Sequence, residues 1–275
     1  MGRPSTASRW TERHIVTDIK RRIAYLVPGP MHLTSLGAAE VERRGAKLQE
    51  WSESGTEVTI RTSEYGPASI ESGYESALSV PPATEMVLQA DKDGFDAGIV
   101  GCFSGPGLDA HREITDMLVL APGAVCIALA TTLGHRFSML ATGPGRAPVF
   151  RKMAWEAGVS DALASVRSVD TPVLELGTDR SATLARVAEQ CRAAVDEDGA
   201  DVLILGCMSM GFLEVAEELT QELGVPVINP SKTVLKFAEA TLSLKLTHSR
   251  AAYHTPPKIA KGMSPDELVL GAAST

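Results

Sequence analysis

The sequence predicts an α/β protein of two pseudo-symmetric lobes, each a mostly parallel sheet flanked by helices, with the active site at the lobe interface. Three observations predict it. The run Asp96-Ala97-Gly98-Ile99-Val100-Gly101-Cys102 has a counterpart in Asp201-Val202-Leu203-Ile204-Leu205-Gly206-Cys207. A short, continuously apolar run bounded by turn signals reads as a strand buried on both faces, the kind that parallel sheets contain. Strand-like and helix-like segments alternate along the chain, as βαβ units require. Finally, a Gly-Pro strand end, a Gly-Cys strand end and a third short strand recur in the same order in each half, which marks an internal duplication.

In order, residues 23–27 form the first strand, stopped by Pro28-Gly29-Pro30. Helical charge patterning covers 34–53, and Val58-Thr59-Ile60 reads as the second strand. After the loop Tyr65–Glu71 a helix is expected from about Pro82 to Lys92, then the first repeat strand and a helix over about 106–116. Residues 119–121 read as a short strand and 124–133 as a helix. Arg136 to Pro144 repeats the pattern of Arg22 to Pro30 and opens the second half. There a helix fits 146–157, a strand 165–169, an amphipathic helix 181–197, and then the second repeat strand. A helix across 211–223, a strand at 226–228 and a helix over 231–244 complete the order. The expected division is a flexible leader over 1–22, lobe 1 over 23–120 plus about 230–275, and lobe 2 over 121–229. Residues 249–275, rich in Pro, Ala and Ser, read as a tail on the surface.

Composition narrows the function. A formal charge of −8 lacks the basic footprint that nucleic-acid binding needs. No apolar stretch approaches the roughly 20 residues of a membrane span, and residues 1–22 hold no signal-peptide core. Cys102, Cys126, Cys191 and Cys207 are too scattered for a disulfide framework and form no C-x-x-C pair, so free thiols in a cytoplasmic protein are expected. The six histidines show no metal-ligand spacing, and neither a P-loop nor a G-x-G-x-x-G follows a strand. His111, beside Arg112 and Glu113, reads as part of a solvated helix face rather than as the partner of Cys102.

Cysteine is most often a small apolar filler, and that reading suits Cys126 and Cys191. It does not explain why Cys102 and Cys207 recur at the same strand end of both halves. Ligands of open α/β sheets bind at that edge. Both thiols are expected at helix N-termini, where the dipole favours the thiolate. Facing each other across a cleft, one thiolate can remove a proton from a carbon while the opposing thiol returns one to the other face. That inverts a stereocentre without a cofactor, provided a neighbouring carbonyl acidifies the carbon. Backbone N–H groups after each cysteine, with the hydroxyls of Ser104, Ser209 and Thr142, are the candidate donors to the developing charge.

Several segments together carry a resemblance: Gly66-Pro67-Ala68-Ser69-Ile70-Glu71, Cys102-Phe103-Ser104-Gly105-Pro106-Gly107-Leu108, Leu133-Gly134-His135-Arg136-Phe137-Ser138, Leu205-Gly206-Cys207-Met208-Ser209-Met210 and Gly224-Val225-Pro226-Val227-Ile228. In these the chain resembles the aspartate/glutamate racemase superfamily, in its hydantoin and allantoin racemase branch. The resemblance implies cofactor-independent racemisation of a hydantoin-like cyclic ureide, Cys102 and Cys207 as acid/base pair, no metal, and a homo-oligomer with a small-molecule substrate. The implied substrate contacts are Pro28, Phe103, Ser104, Gly105, Thr142, Met208 and Ser209. Pro28-Gly29-Pro30 stands where the branch has Asn-Pro-Asn, Ser104-Gly105 where it has Gly-Asp, and Met208-Ser209-Met210 where it has Ala-Gly-Met. These differences point to a larger or less polar ligand. The alternatives are a cis–trans isomerase or lyase with one nucleophilic cysteine, and a non-catalytic binding protein that keeps the cleft.

Overall fold

The computed structural model describes residues 21–264 and 266–268. The expected leader therefore lies outside the described residues except for Arg21 and Arg22, and so does the tail beyond 268. Strand β1 spans Arg21–Val27, two residues longer at its start than the apolar pattern indicates. The reason is local. The Arg22 N–H donates to Asp96 Oδ2 at 2.7 Å, and its guanidinium lies 4.3 Å over the Phe95 ring.

From there the first half runs through α1 (Gly37–Trp51), β2 (Thr56–Thr62), α2 (Gly73–Leu78), α3 (Val80–Lys92), β3 (Ala97–Val100), α4 (Leu108–Glu113) and β4 (Leu118–Leu120). The second half follows with α5 (Pro122–Leu133), β5 (Phe137–Ala141), α6 (Ala147–Glu156), β6 (Leu163–Ser168), α7 (Arg180–Asp196), β7 (Val202–Leu205), α8 (Met208–Gly211), α9 (Ala216–Leu223), β8 (Val227–Ile228), α10 (Pro230–Ser243) and α11 (Pro257–Ala260). The strands form two parallel four-stranded sheets of the same order, β2-β1-β3-β4 and β6-β5-β7-β8. The duplication extends to side chains. Asp201 Oδ1 accepts the Arg136 N–H at 2.9 Å at the start of β5, as Asp96 does for Arg22 at the start of β1.

Two helices cross between the halves. After β4 the chain leaves the first sheet, and Cys126, Ile127 and Ala130 of α5 pack with Phe137, Met139, Val202 and Ile204 of the second. After β8 it returns, and Val234, Leu235 and Ala238 of α10 pack with Ile23, Tyr25, Ile99 and Leu118 of the first. Thus α5 covers the second sheet and α10 the first, and most of their stabilisation arises from that packing. The buried Glu239 carboxylate ties α10 to the α1–β2 loop by accepting the Glu53 N–H at 2.6 Å.

Two expected helices come out differently, and one helix is added. An extra helix, α2, precedes α3; the Ser72 side chain caps it by accepting the Glu75 N–H. The helix after β3 is shorter than 106–116, because Gly105 and Gly107 sit at φ 58° and 75° and hold the preceding segment in a loop. The helix expected over 211–223 is broken into α8 and α9, with Glu214 in the left-handed region at φ 58°. His111 also departs from expectation. It is fully buried, with Nε2 3.1 Å from Thr84 Oγ1 on α3. Beyond α10 the chain covers the edge strand β4, where His248 Nε2 accepts the Val119 N–H at 2.6 Å. That pairs a backbone donor which a bare sheet edge would expose.

Burial lowers both of these histidines to about 4, and the charges of Arg112 and Arg250 add to the effect at His248. An unfolded histidine titrates near 6.5. Between these values the unfolded chain binds protons that the folded one does not. Stability from this source is therefore complete above about pH 6.5 and is lost as the pH falls toward 4. His111 should contribute up to about 3 kcal/mol of that loss, and the more exposed His248 less. Urea midpoints at pH 7 and pH 4.5 measure it, and His111→Leu should flatten the dependence.

Candidate active site

The Gly-Cys pair that ends each repeat strand has a packing reason. Gly101 and Gly206 donate their N–H groups to Leu26 O of β1 at 2.6 Å and to Leu140 O of β5 at 2.8 Å. A Cβ at Gly101 would meet Leu26 O and the Tyr25 ring, each at 2.9 Å. At Gly206 it would meet Leu140 O at 2.5 Å and the Phe150 ring at 2.4 Å. Only glycine permits this approach, and the next residue in each case is the cysteine.

The segment after each cysteine crosses to the other half. Phe103, next to Cys102, is buried against Phe150 with ring centroids 5.1 Å apart, in the core of the second sheet. Met208, next to Cys207, lies in the core of the first sheet, and so does Phe212, whose ring is edge-on to Tyr25 at 6.3 Å. Burying one such side chain is worth roughly 1.5–3 kcal/mol, against about 1 kcal/mol net for a hydrogen bond, so packing fixes both loops. The polar contacts cross as well. Arg44 of α1 donates from Nη2 to Ser209 Oγ at 3.1 Å. Arg146, just before α6, donates from Nη2 to Ser104 Oγ at 3.1 Å, and Ser104 Oγ is 3.5 Å from Cys102 Sγ.

The two cysteines are partly exposed, and both line one pocket between the sheets. Their settings differ. Cys207 caps the short α8. Burial raises its thiol above the ordinary value, while the N–H groups of Met210 and Ser209 and the Arg44 charge act in the opposite sense. The expectation that a helix N-terminus lowers this thiol is therefore corrected: burial outweighs the dipole of a four-residue helix. Cys102 is not at a helix N-terminus at all, since α4 begins only at Leu108. Tyr25, also in the pocket wall, is held protonated by burial, which raises its hydroxyl well above the usual value. Cys126 and Cys191 are fully buried in α5 and α7, and burial pushes both thiols up, to about 12 for Cys191. They are filler, as the sequence indicates.

Of the sequence-predicted contacts, Pro28, Phe103, Ser104, Thr142, Met208 and Ser209 line the pocket together with both cysteines. Gly105 does not; it is buried against Ala121. Sequence reasoning missed Arg44, Arg146 and Tyr25, and it gave no role to the apolar wall of Met31, Leu36, Ile70, Val173 and Leu174. The Glu40/Arg44 spacing of one helical turn was a visible signal for Arg44, because it pairs the guanidinium and holds it in place.

Residues 38–238 match the family model described as Asp/Glu/Hydantoin racemase. The chain belongs to this family. It is 34% identical over 206 residues to a hydantoin racemase of Pseudomonas sp. strain NS671, a match covering 74% of this chain and 82% of that one. Among solved structures it is similar to an allantoin racemase from Klebsiella pneumoniae, with a TM-score of 0.78 and 29% identity over 86% of this chain and 94% of that one. The allantoin racemase of Pseudomonas fluorescens gives a TM-score of 0.77 at 28% identity, covering 86% and 97% of the two chains.

Proposed function

We propose that this racemase-family protein inverts a carbon next to a carbonyl, most readily in a hydantoin-like cyclic ureide, with Cys102 and Cys207 as the acid/base pair and no cofactor. The observation that carries this reading is that the two cysteines, at equivalent ends of β3 and β7, share one pocket. The thiolate of one removes the proton from its side of the ring carbon. The opposing thiol then delivers a proton to the other face, and the roles exchange for the other enantiomer. Charge developing on the ring carbonyl meets the donors around it, Ser104, Ser209 and Thr142 among the lining hydroxyls. A thiolate is a weak base toward a carbon acid, so positioning and these donors supply most of the rate. The names of the relatives support the ureide, and the apolar wall suits a bulky ring substituent.

The reading divides the chain at the crossing helices, with 23–120 and about 230–275 as one lobe and 121–229 as the other; the packing of α5 and α10 supports that division. It also takes the molecule as a cytoplasmic homo-oligomer, in keeping with four free thiols. No helix among the described residues is long and apolar enough to cross a membrane.

The test is incubation with a panel of 5-substituted hydantoins, allantoin and amino acids in heavy water, followed by polarimetry and NMR. Loss of optical rotation with deuterium at C5 of a ureide is expected. A covalent adduct on one cysteine without deuterium uptake would assign nucleophilic chemistry to the site instead.

A further inference from the structure

The two arginines of the pocket are placed alike and paired unlike. Arg44 donates from Nε to Glu40 Oε1 at 2.8 Å as well as to Ser209, so its charge has a carboxylate beside it. Arg146 is only 5% exposed and forms no ion pair among the described residues. One of its amino groups holds Ser104; the other, Nη1, is buried and has no hydrogen-bond partner. The residues lining the pocket include these two arginines and no aspartate, glutamate or lysine. A guanidinium cannot shed its proton to escape burial, so an unpaired one at this depth is costly unless a ligand supplies the opposite charge.

We propose that the substrate carries a carboxylate, bound by the Arg146 guanidinium on the Cys102 side of the pocket. This deepens the racemase reading and rests on it for the reaction. The planar fork of arginine suits two-point contact with a carboxylate, and Nη1, without a partner inside the protein, is the donor that a small turn of the guanidinium would present to it. The carboxylate belongs on the ring substituent and not on the reacting carbon, because a neighbouring negative charge would make that C–H less acidic. Ser104, held by Arg146 Nη2 next to Cys102, sets how far the charged group lies from the thiol. The substrate class is therefore a cyclic ureide with an acidic side arm, the remainder of which lies along the apolar wall.

The probes are 5-(carboxymethyl)hydantoin and the neutral 5-isobutylhydantoin, each tested with the wild type, Arg146→Met and Arg146→Lys. Polarimetry gives kcat/KM for each, and thermal unfolding with and without probe reports binding independently of turnover. The wild type is expected to favour the carboxylated probe. In Arg146→Met the ratio of kcat/KM between the two probes should fall roughly 10- to 100-fold, the range for a lost charge-assisted hydrogen bond, and Arg146→Lys should restore part of it. The stabilisation by 5-(carboxymethyl)hydantoin should vanish in Arg146→Met. Equal loss on both probes, or a wild type that neither prefers nor is stabilised by the carboxylated one, overturns the proposal while leaving the racemase reading intact. If the carboxylated probe stabilises the wild type and not Arg146→Met, yet neither probe takes up deuterium, the anion subsite stands and the racemase reading falls.

Discussion

Cys102→Ser is expected to lower enantiomer interconversion by about 10³-fold or more, and Cys207→Ser to do the same, while either variant stays folded. A hydroxyl is a far weaker acid than a thiol, so serine supplies neither the base nor a ready proton donor at neutral pH. The replacement is nearly isosteric at both partly exposed positions, and melting temperatures should move little. The pattern of solvent exchange is more telling than the rate. With Cys207 alone, only the enantiomer whose C–H faces that sulfur can lose its proton, and the deuteron returns to the same side. Cys102→Ser should therefore exchange one enantiomer without inverting it, and Cys207→Ser the other. NMR of separated enantiomers in heavy water checks this. If both single variants still invert at the parental rate, the acid/base assignment is wrong.

The second large effect is structural. Gly206→Ala forces a methyl group to within 2.5 Å of Leu140 O and 2.4 Å of the Phe150 ring. The ring is packed with Phe103 and Met139, and the carbonyl is fixed by the β5–β7 pairing. Overpacking commonly costs about 1–3 kcal/mol, and a clash against fixed backbone belongs at the upper end, about 3 kcal/mol. The neighbouring Cys207 would shift with the strand end. Because a misplacement of about 1 Å can cost about 10²-fold, kcat should drop more steeply than stability explains. Gly101→Ala, with its nearest contacts at 2.9 Å, should be milder on both counts. Denaturant midpoints and kcat for the two variants measure the difference. Wild-type behaviour of Gly206→Ala would show that the close approach is not what the glycine provides.

The alternation of elements and the equivalence of the two cysteines were legible because local composition carries them. Buried parallel strands are apolar throughout, and a duplicated motif repeats whatever its function requires. The break at Glu214 was not legible, because the residues of 211–223 suit a helix, while in the fold Leu213 and Val215 on either side of it are both buried in the core of the second sheet. His111 was misread for a similar reason. Its sequence neighbours Arg112 and Glu113 are polar, and burial came from α3, which packs over it from elsewhere in the chain. The arginines of the site are the largest omission. Arg146 lies in a Gly-Pro-Gly-Arg turn with no periodicity to indicate its direction, and Ser104, its partner, is 42 residues away. Gly105, by contrast, was included because it adjoins Cys102 and Ser104, but adjacency in sequence does not decide which side of a turn faces a ligand.

The exchange of α5 and α10 has a consequence for any attempt to divide the molecule. A cut near residue 121 would match the repeat in the sequence, yet it would separate the first sheet from Val234, Leu235 and Ala238, leaving Ile23, Ile99 and Leu118 bare on that face. The remaining fragment would keep its own covering helix but would carry α10 with its apolar stripe unmatched. Two stretches of chain that look like independent units are thus complements: the second lends α10 to the first interior, and the first lends Phe103 to the second.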